Sequence, residues 1–368
     1  MQFGVVSANE APMKKLLLPA LVSLALFHSP AHGVMIVVDY SNDTFFAGNT
    51  AARNALEAAA ADLGAALTTS LAAVDADVFT GVNGSTSATF DWLYTYPNPA
   101  TGATVTIEVP RVAANEVRIF AGARKLTGST LGIGSSGGAG FGLAGSGFPN
   151  QWIGAVDAAE ALSNAELNRA GGPLMGILSG SSDFGGFVAE YDLQYGALGG
   201  SISFDLDTDN DNDIDTNAEL NNFWQFDHTT AVPFSKFDFY SVALHELMHA
   251  LGIGQAVGWE TNVSGTNWLG AQTIAQNGTG TGIIAPDGAH PKDNLTSLLL
   301  NGLTSQEVVM SPSLTNGERR LLTQLDLALM RDIGWDTVAI PEPTTAVSML
   351  CGMACLLARR PRRELPVH

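Results

Sequence analysis

The chain has 368 residues, with 17 basic against 36 acidic side chains, a formal net charge of −19, 46% hydrophobic residues and 14% charged residues. That much apolar sequence is ample for a sizeable core in one large domain or two lobes, and excludes an intrinsically disordered chain. So acidic a surface argues against nucleic acid or anionic lipid as a partner.

Met1 to Pro12 have no evident pattern, but from Met13 the chain reads Lys14-Lys15, an apolar run from Leu16 to Phe27, and then Ser-Pro-Ala-His-Gly. A positive region, an apolar stretch and small residues near Ala31 or Gly33 are the parts of a secretory leader, with Met13 as the start. Residues 1–33 are therefore expected to be extension and leader, and the folded body to begin at Val34.

In the body, Met35 to Tyr40 (MIVVDY) predicts a first strand and Asn49 to Thr68, dense in Ala and Leu, a long helix packed on it. Thr104 to Val109 and Glu116 to Ala121 alternate as strands do. Leu126 to Asn150 is rich in Gly and Ser and reads as a flexible loop beside a cleft. It contains Gly132-x-Gly134-x-x-Gly137 and Gly134-x-Ser136-x-Gly138, which match a dinucleotide fingerprint and a nucleophile elbow. A low-complexity run meets both patterns by chance, and no βαβ unit or downstream acidic partner supports either. Val156 to Arg169 predicts a helix, and Ser201 to Asp205 and Asn222 to Phe226 predict strands.

Asp205, Asp207, Asp209, Asp211, Asp213 and Asp215 stand at alternate positions, the spacing of a calcium loop. No register has both a glycine at the sixth place and a glutamate at the twelfth, and Glu219 falls one residue late for the frame starting at Asp207. A calcium site and a solvated acidic loop are the two readings.

A helix is predicted from near Asp238, capped by Ser235 or Asp238, to Gly252, a natural left-handed residue at a helix end. It carries His245-Glu246-Leu247-Met248-His249. Two histidines four apart share one helix face and can bind zinc, and the glutamate between them is placed to act as general base on water. A catalytic zinc needs three protein ligands and an open position. The extended pattern H-E-x-x-H-x-x-G-x-x-H holds as far as Gly252, but Gln255 stands where its last histidine belongs, and a neutral amide is a poor zinc ligand. Of the seven histidines, His28 and His32 belong to the leader region and His368 to the C-terminal end, which leaves His228 and His290 to complete a three-histidine site. Asp287, Gln255 and water are further candidates. From Gly252 to Ser311 the sequence is loop-rich, and a last helix is predicted from Asn316 to Asp332. No internal repeat is evident.

His-Glu-x-x-His-Ala-Leu-Gly, a long insertion, a separate His290 in DGAH, Met310 in VVMSP and the terminal LTQLDLALMRDIGW together resemble the leishmanolysin-like branch of the metzincin zinc peptidases. The resemblance runs over Phe237 to Trp335, is loose in the preceding strands and hardly reaches the first hundred residues. It implies an α+β fold with an N-terminal lobe (34–252) of mixed β-sheet and helices, including the His-Glu-x-x-His helix. A smaller, irregular C-terminal lobe (253–335) would hold a methionine turn at Met310 and the terminal helix. It further implies zinc on His245, His249 and His290, peptide hydrolysis by metal-activated water with Glu246 as general base and then acid, and a substrate lying along an edge strand near Asn222 to Phe226. Relatives commonly have Trp after the third histidine, where this chain has Pro291.

After the body come Pro341-Glu342-Pro343, an apolar run from Ala346 to Ala358 and an arginine cluster at Arg359, Arg360, Arg362 and Arg363. The apolar run is shorter than the ~20 residues that span a bilayer comfortably. This order, over 340–363, resembles the PEP-CTERM sorting tail of Gram-negative bacteria, which implies export through the inner membrane, transient anchoring by a short transmembrane segment, and cleavage by an exosortase-type enzyme before the protein reaches the cell surface or medium. Without leader and tail the body holds 33 acidic and 11 basic residues, a charge near −22. Cys351 and Cys355 are the only cysteines and both lie in the tail, so the body has no disulfide and no thiolate switch. A secreted zinc endopeptidase is the expected function. A metal-binding but non-catalytic surface or matrix protein, carried by the same tail, is the alternative.

Overall fold

The computed structural model describes residues 33–339; residues 1–32 of the expected leader, the expected sorting tail over 340–363 and both cysteines lie outside the described residues. The chain is of mixed α+β type, with several sheets and eight α-helices among the described residues. It begins with β1 (Met35–Asp39), a helical turn α1 (Phe45–Gly48) and the long helix α2 (Thr50–Ala66). Six strands follow: β2 (Val78–Asn83), β3 (Thr86–Pro97), β4 (Thr104–Glu108), β5 (Glu116–Arg124), β6 (Gly132–Ser135) and β7 (Gly138–Ser146). Helix α3 (Trp152–Leu167) leads to the hairpin of β8 (Leu174–Phe184) and β9 (Phe187–Gly196), then to β10 (Gly199–Asp205).

The remainder is more irregular: α4 (Asn217–Phe223), β11 (Trp224–Gln225), β12 (Phe237–Asp238) and the helix α5 (Phe239–Ala250). Beyond it come α6 (Val257–Asn262), β13 (Val263–Ser264), β14 (Asn267–Trp268), α7 (Ala271–Asn277), β15 (Thr296–Leu298), β16 (Ser305–Glu307) and α8 (Gln324–Asp332).

The sheet that positions the site has the order β1-β5-β10-β6; β1, β5 and β10 are parallel, and β6 is an antiparallel edge. Helices α2 and α5 pack together beneath it, with α2 against β1 and α5 against β10 and β6. In α2 the buried Ala52, Ala55, Leu56, Ala59, Ala60 and Leu63 recur three and four apart, so one stripe faces the core. The Asn49 side chain accepts from the Ala52 amide and caps its start. A second sheet is built on β3, which pairs with β2, β4 and β7. Helix α3 covers β2, β3 and β9.

Helix α5 is buried on nearly every side. Phe239, its first residue, sits among Phe46, Phe204, Trp224 and Phe226 with ring centroids 4.4 to 6.4 Å away. Asp238 caps the helix by accepting from the Ser241 amide, and its buried charge is matched by Arg319 at 2.6 Å. The other end closes as a Schellman turn: Ile253 N–H bonds the Met248 carbonyl and Gly252 N–H the His249 carbonyl, with Gly252 at φ +109°.

Several expectations are corrected. Leu126 to Asn150 is not a loop but contains β6 and β7, because here glycine serves close packing. A Cβ on Gly132 would lie 2.7 Å from Glu246 Cγ. One on Gly134 would collide with the Glu246 carbonyl oxygen and lie 2.9 Å from His249 Cβ. Asn222 to Phe226 is the end of α4 and the two-residue β11, since a complete Thr216–Glu219 capping box starts a helix there. The terminal helix begins at Gln324 rather than Asn316, behind its own Thr323–Asp326 capping box. Residues 253–311 are loop-rich as expected, with two short helices and small hairpins among them. Strands β2, β3, β8 and β9 were not expected. No helix among the described residues is long and apolar enough to cross a membrane.

Because β6 rests directly on α5, Gly134→Ala is expected to cost about 1–3 kcal/mol through overpacking. Gly140 and Gly142 on β7 have open space where a Cβ would stand, so Gly140→Ala should change stability by less than about 1 kcal/mol. Urea unfolding of the two variants checks the difference.

Candidate metal centre

Three imidazoles converge. His245 and His249 project from one face of α5, and His290 arrives from the loop between α7 and β15. Their Nε2 atoms lie 3.1 Å apart for His245 and His249, 2.9 Å for His249 and His290, and 3.3 Å for His245 and His290. Each opposite nitrogen is tied elsewhere: His245 Nδ1 to the Val309 carbonyl at 2.9 Å, His249 Nδ1 to the Ile253 carbonyl at 2.8 Å, and His290 Nδ1 to Asp287 Oδ2 at 2.8 Å. A carbonyl oxygen only accepts, so Nδ1 carries the proton in His245 and His249, and the Asp287 carboxylate favours the same tautomer in His290. All three Nε2 lone pairs then face one point.

Three lone pairs so close repel unless a cation lies between them. Protonation is disfavoured, since burial and the neighbouring imidazoles push His245 well below the usual histidine range, and burial with His290 brings His249 down to about 4. A tetrahedral ion about 2.0–2.1 Å from each nitrogen would set them about 3.3 Å apart, close to what is observed. The cluster could therefore hold a metal ion.

The second nitrogen of each imidazole is held by local structure. The Schellman turn that ends α5 aims the Ile253 carbonyl back at His249. The Val309 carbonyl belongs to the turn Val308–Ser311, which contains the buried Met310. That turn is fixed by Asp326 of α8, a buried carboxylate that accepts from the amides of Val309, Met310 and Thr323. Asp287 bonds the amides of Ala289 and His290 as well as the ring, so it orients His290 rather than joining the cluster. Pro291 does not prevent this: Ile284 bridges Pro291, and the Ala285 amide bonds the His290 carbonyl.

A cavity of about 590 Å³ opens over the cluster. Its walls include Ser129 to Gly134 of the β6 segment, Val242 of α5 and Ser311 to Leu314 at the end of the turn that contains Met310. Glu246 lines it and is buried; desolvation pushes its carboxyl up to about 8, against the Gly134 amide, which favours the carboxylate.

Other candidates fall elsewhere. His228 stacks on Tyr240 with ring centroids 6.3 Å apart and is not part of the cluster. Gln255 bonds backbone atoms of the β6 segment. Of the acidic run, Asp207, Asp209 and Asp215 bring carboxylate oxygens within 4.8 Å of one another and could hold a cation. Asp205 is spent on the Leu126 and Asp207 amides, and Asp211 and Asp213 are exposed. Sequence reasoning placed Asp287 only as a ligand candidate and missed the glycine contact with Glu246. The spacings Asp287-x-x-His290 and Gly132-x-Gly134 are the signals that carry them.

His290→Ala should weaken zinc binding strongly, Asp287→Ala about 10–100-fold, and His228→Ala hardly at all, measured by competition with a chromophoric chelator. The metal-free protein has a pH signature. Glu246 is held near 8 when folded and at about 4.3 when unfolded, so its proton stabilises the fold at low pH and that contribution is lost as pH rises through 8. Melting temperature of metal-free protein between about pH 5 and pH 9 should therefore fall more steeply for wild type than for Glu246→Gln.

No protein-family model matches this chain, and neither a curated protein nor a solved structure matches it, so the site is interpreted from its own geometry.

Proposed function

We propose that this protein is a zinc-dependent endopeptidase of metzincin type, with a leishmanolysin-like arrangement of its third histidine. The observation that carries the reading is three convergent imidazoles with Glu246, which lies between His245 and His249 in the sequence, buried and lining an open cavity beside a free strand edge. Three neutral imidazoles with an accessible fourth position suit zinc. Bound there, zinc would polarise a carbonyl as a Lewis acid and bring water into its nucleophilic range near neutral pH.

The chain's own residues supply the rest. His245, His249 and His290 are held in one tautomer by Val309, Ile253 and Asp287, so no ring has to reorient on binding. Glu246 takes the proton from the attacking water on its carboxylate and delivers it to the departing amine nitrogen. A cation held by the three imidazoles would favour the carboxylate of the buried Glu246, the form that can take up a proton.

An extended peptide would add to the outer edge of β6, which lines the cavity, and not to Asn222–Phe226. Support for the metzincin type comes from the antiparallel edge strand over the His-Glu-x-x-His helix and from the buried Met310 turn beneath α8. The leader before Gly33 and the tail from Ile340 support export, sorting and exosortase-type release at the cell surface.

The test is metal analysis of the purified protein together with chelator-sensitive digestion of casein. One zinc per chain is expected, with Glu246→Gln keeping the zinc and losing about 10²–10⁴-fold in kcat/KM. A protein that holds one zinc, digests nothing and is indifferent to Glu246→Gln is instead the non-catalytic metal-binding surface protein.

A further inference from the structure

Gln255 stands three residues past Gly252, and its side-chain amide is committed to the backbone of the β6 segment. Its Nε2 donates to the Gly134 carbonyl at 3.0 Å, and its Oε1 accepts from the Ser136 amide at 3.0 Å and from Ser136 Oγ at 3.2 Å. The direction of these peptide groups follows from the ladder. The Leu131 carbonyl bonds the Asp205 amide, extending the β6–β10 pairing. Peptide groups alternate along a strand, so Leu131, Ile133 and Ser135 face β10, while Gly132, Gly134 and Ser136 face outward. An added parallel strand would present one residue that donates to the carbonyl of residue i and accepts from the amide of residue i+2. The Gln255 amide supplies that donor and that acceptor.

We propose that Gln255 is a positioning residue that ends the peptide-binding edge of β6: a bound peptide pairs with the outward groups at Gly132 and cannot continue past Gly134. The end-stop rests on the peptidase reading, whereas the clamp itself does not. Gln255 is well fixed for this role. It leaves α5 through Gly252 and Gly254, at φ +109° and +80°, and its amide N–H bonds the Gly252 carbonyl. The same clamp holds Gly134 against Glu246 and His249, so the edge cannot lift from the helix that carries the histidines.

The test uses the zinc-loaded full chain as wild type, Gln255→Ala and Gln255→Glu; the last keeps the acceptor for Ser136 and loses the donor to Gly134. Two quantities are read: hydrogen exchange at the Ser136 amide without peptide, and KM for a nested set of peptides lengthened one residue at a time at each end. Zinc content should be unchanged in both variants. Ser136 should exchange faster in Gln255→Ala than in wild type and stay protected in Gln255→Glu. In wild type, lengthening at one end should stop lowering KM once the peptide passes the residue paired with Gly132. In Gln255→Ala the further residue that reaches the Gly134 carbonyl should lower it again, by about 2–10-fold, the worth of one net hydrogen bond. Equal Ser136 exchange in wild type and Gln255→Ala overturns the clamp, as does loss of zinc in that variant. Wild type that cleaves peptides with the same length dependence as Gln255→Ala overturns the end-stop alone. Wild type that cleaves nothing sinks the peptidase reading and the end-stop with it, leaving the exchange result to judge the clamp.

Discussion

Everything around the site depends on three imidazole nitrogens held within 3.3 Å of one another by two segments 41 residues apart in the chain. Such an arrangement is repulsive by itself, because burial denies the rings a proton and their fixed tautomer denies them a mutual hydrogen bond. The fold maintains it by spending other structure on the opposite nitrogens. A helix-ending turn, a methionine-containing turn and an aspartate three residues upstream each hold one ring, and each is itself anchored by hydrogen bonds. A cation at the focus turns the repulsion into attraction.

The second constraint is how closely β6 lies on α5. Only glycine at 132 and 134 lets the strand touch the helix at Glu246, and that contact takes the carboxylate out of water. The same approach places a free strand edge beside the cluster. Burial of Glu246, formation of the edge and the Gln255 hydrogen bonds to it are therefore one packing event seen from three sides.

The sequence made legible what is local. The His-Glu-x-x-His spacing defines a face of one helix, Asp238 and Gly252 mark its ends, and MIVVDY and EVRIFA alternate or run apolar as parallel strands do. His290 was reached by counting histidines and by resemblance, and it is the one that joins the cluster. What stayed hidden is long-range. Glycine reads as loop because its usual use is conformational freedom, so β6 and β7 were missed where glycine answers a steric demand from another element. Asn222–Phe226 reads as a strand on its own, and the Thr216–Glu219 box upstream decides otherwise. Gln255 looked like a defect in a ligand pattern, and only its distances to Gly134 and Ser136 give it a role. The acidic run divided the same way: regular spacing suggested six equivalent carboxylates, but backbone amides claim Asp205 and only Asp207, Asp209 and Asp215 gather.

The central claim is that one metal ion sits at the focus of His245, His249 and His290. Anomalous diffraction at the zinc edge, from crystals grown without chelator, tests it most directly. A single strong peak equidistant from the three Nε2 atoms, at about 2.0–2.1 Å from each, is the predicted result. A peak on the Asp207–Asp215 loop alone, or a zinc ion bound by His245 and His249 with His290 turned away, would contradict it.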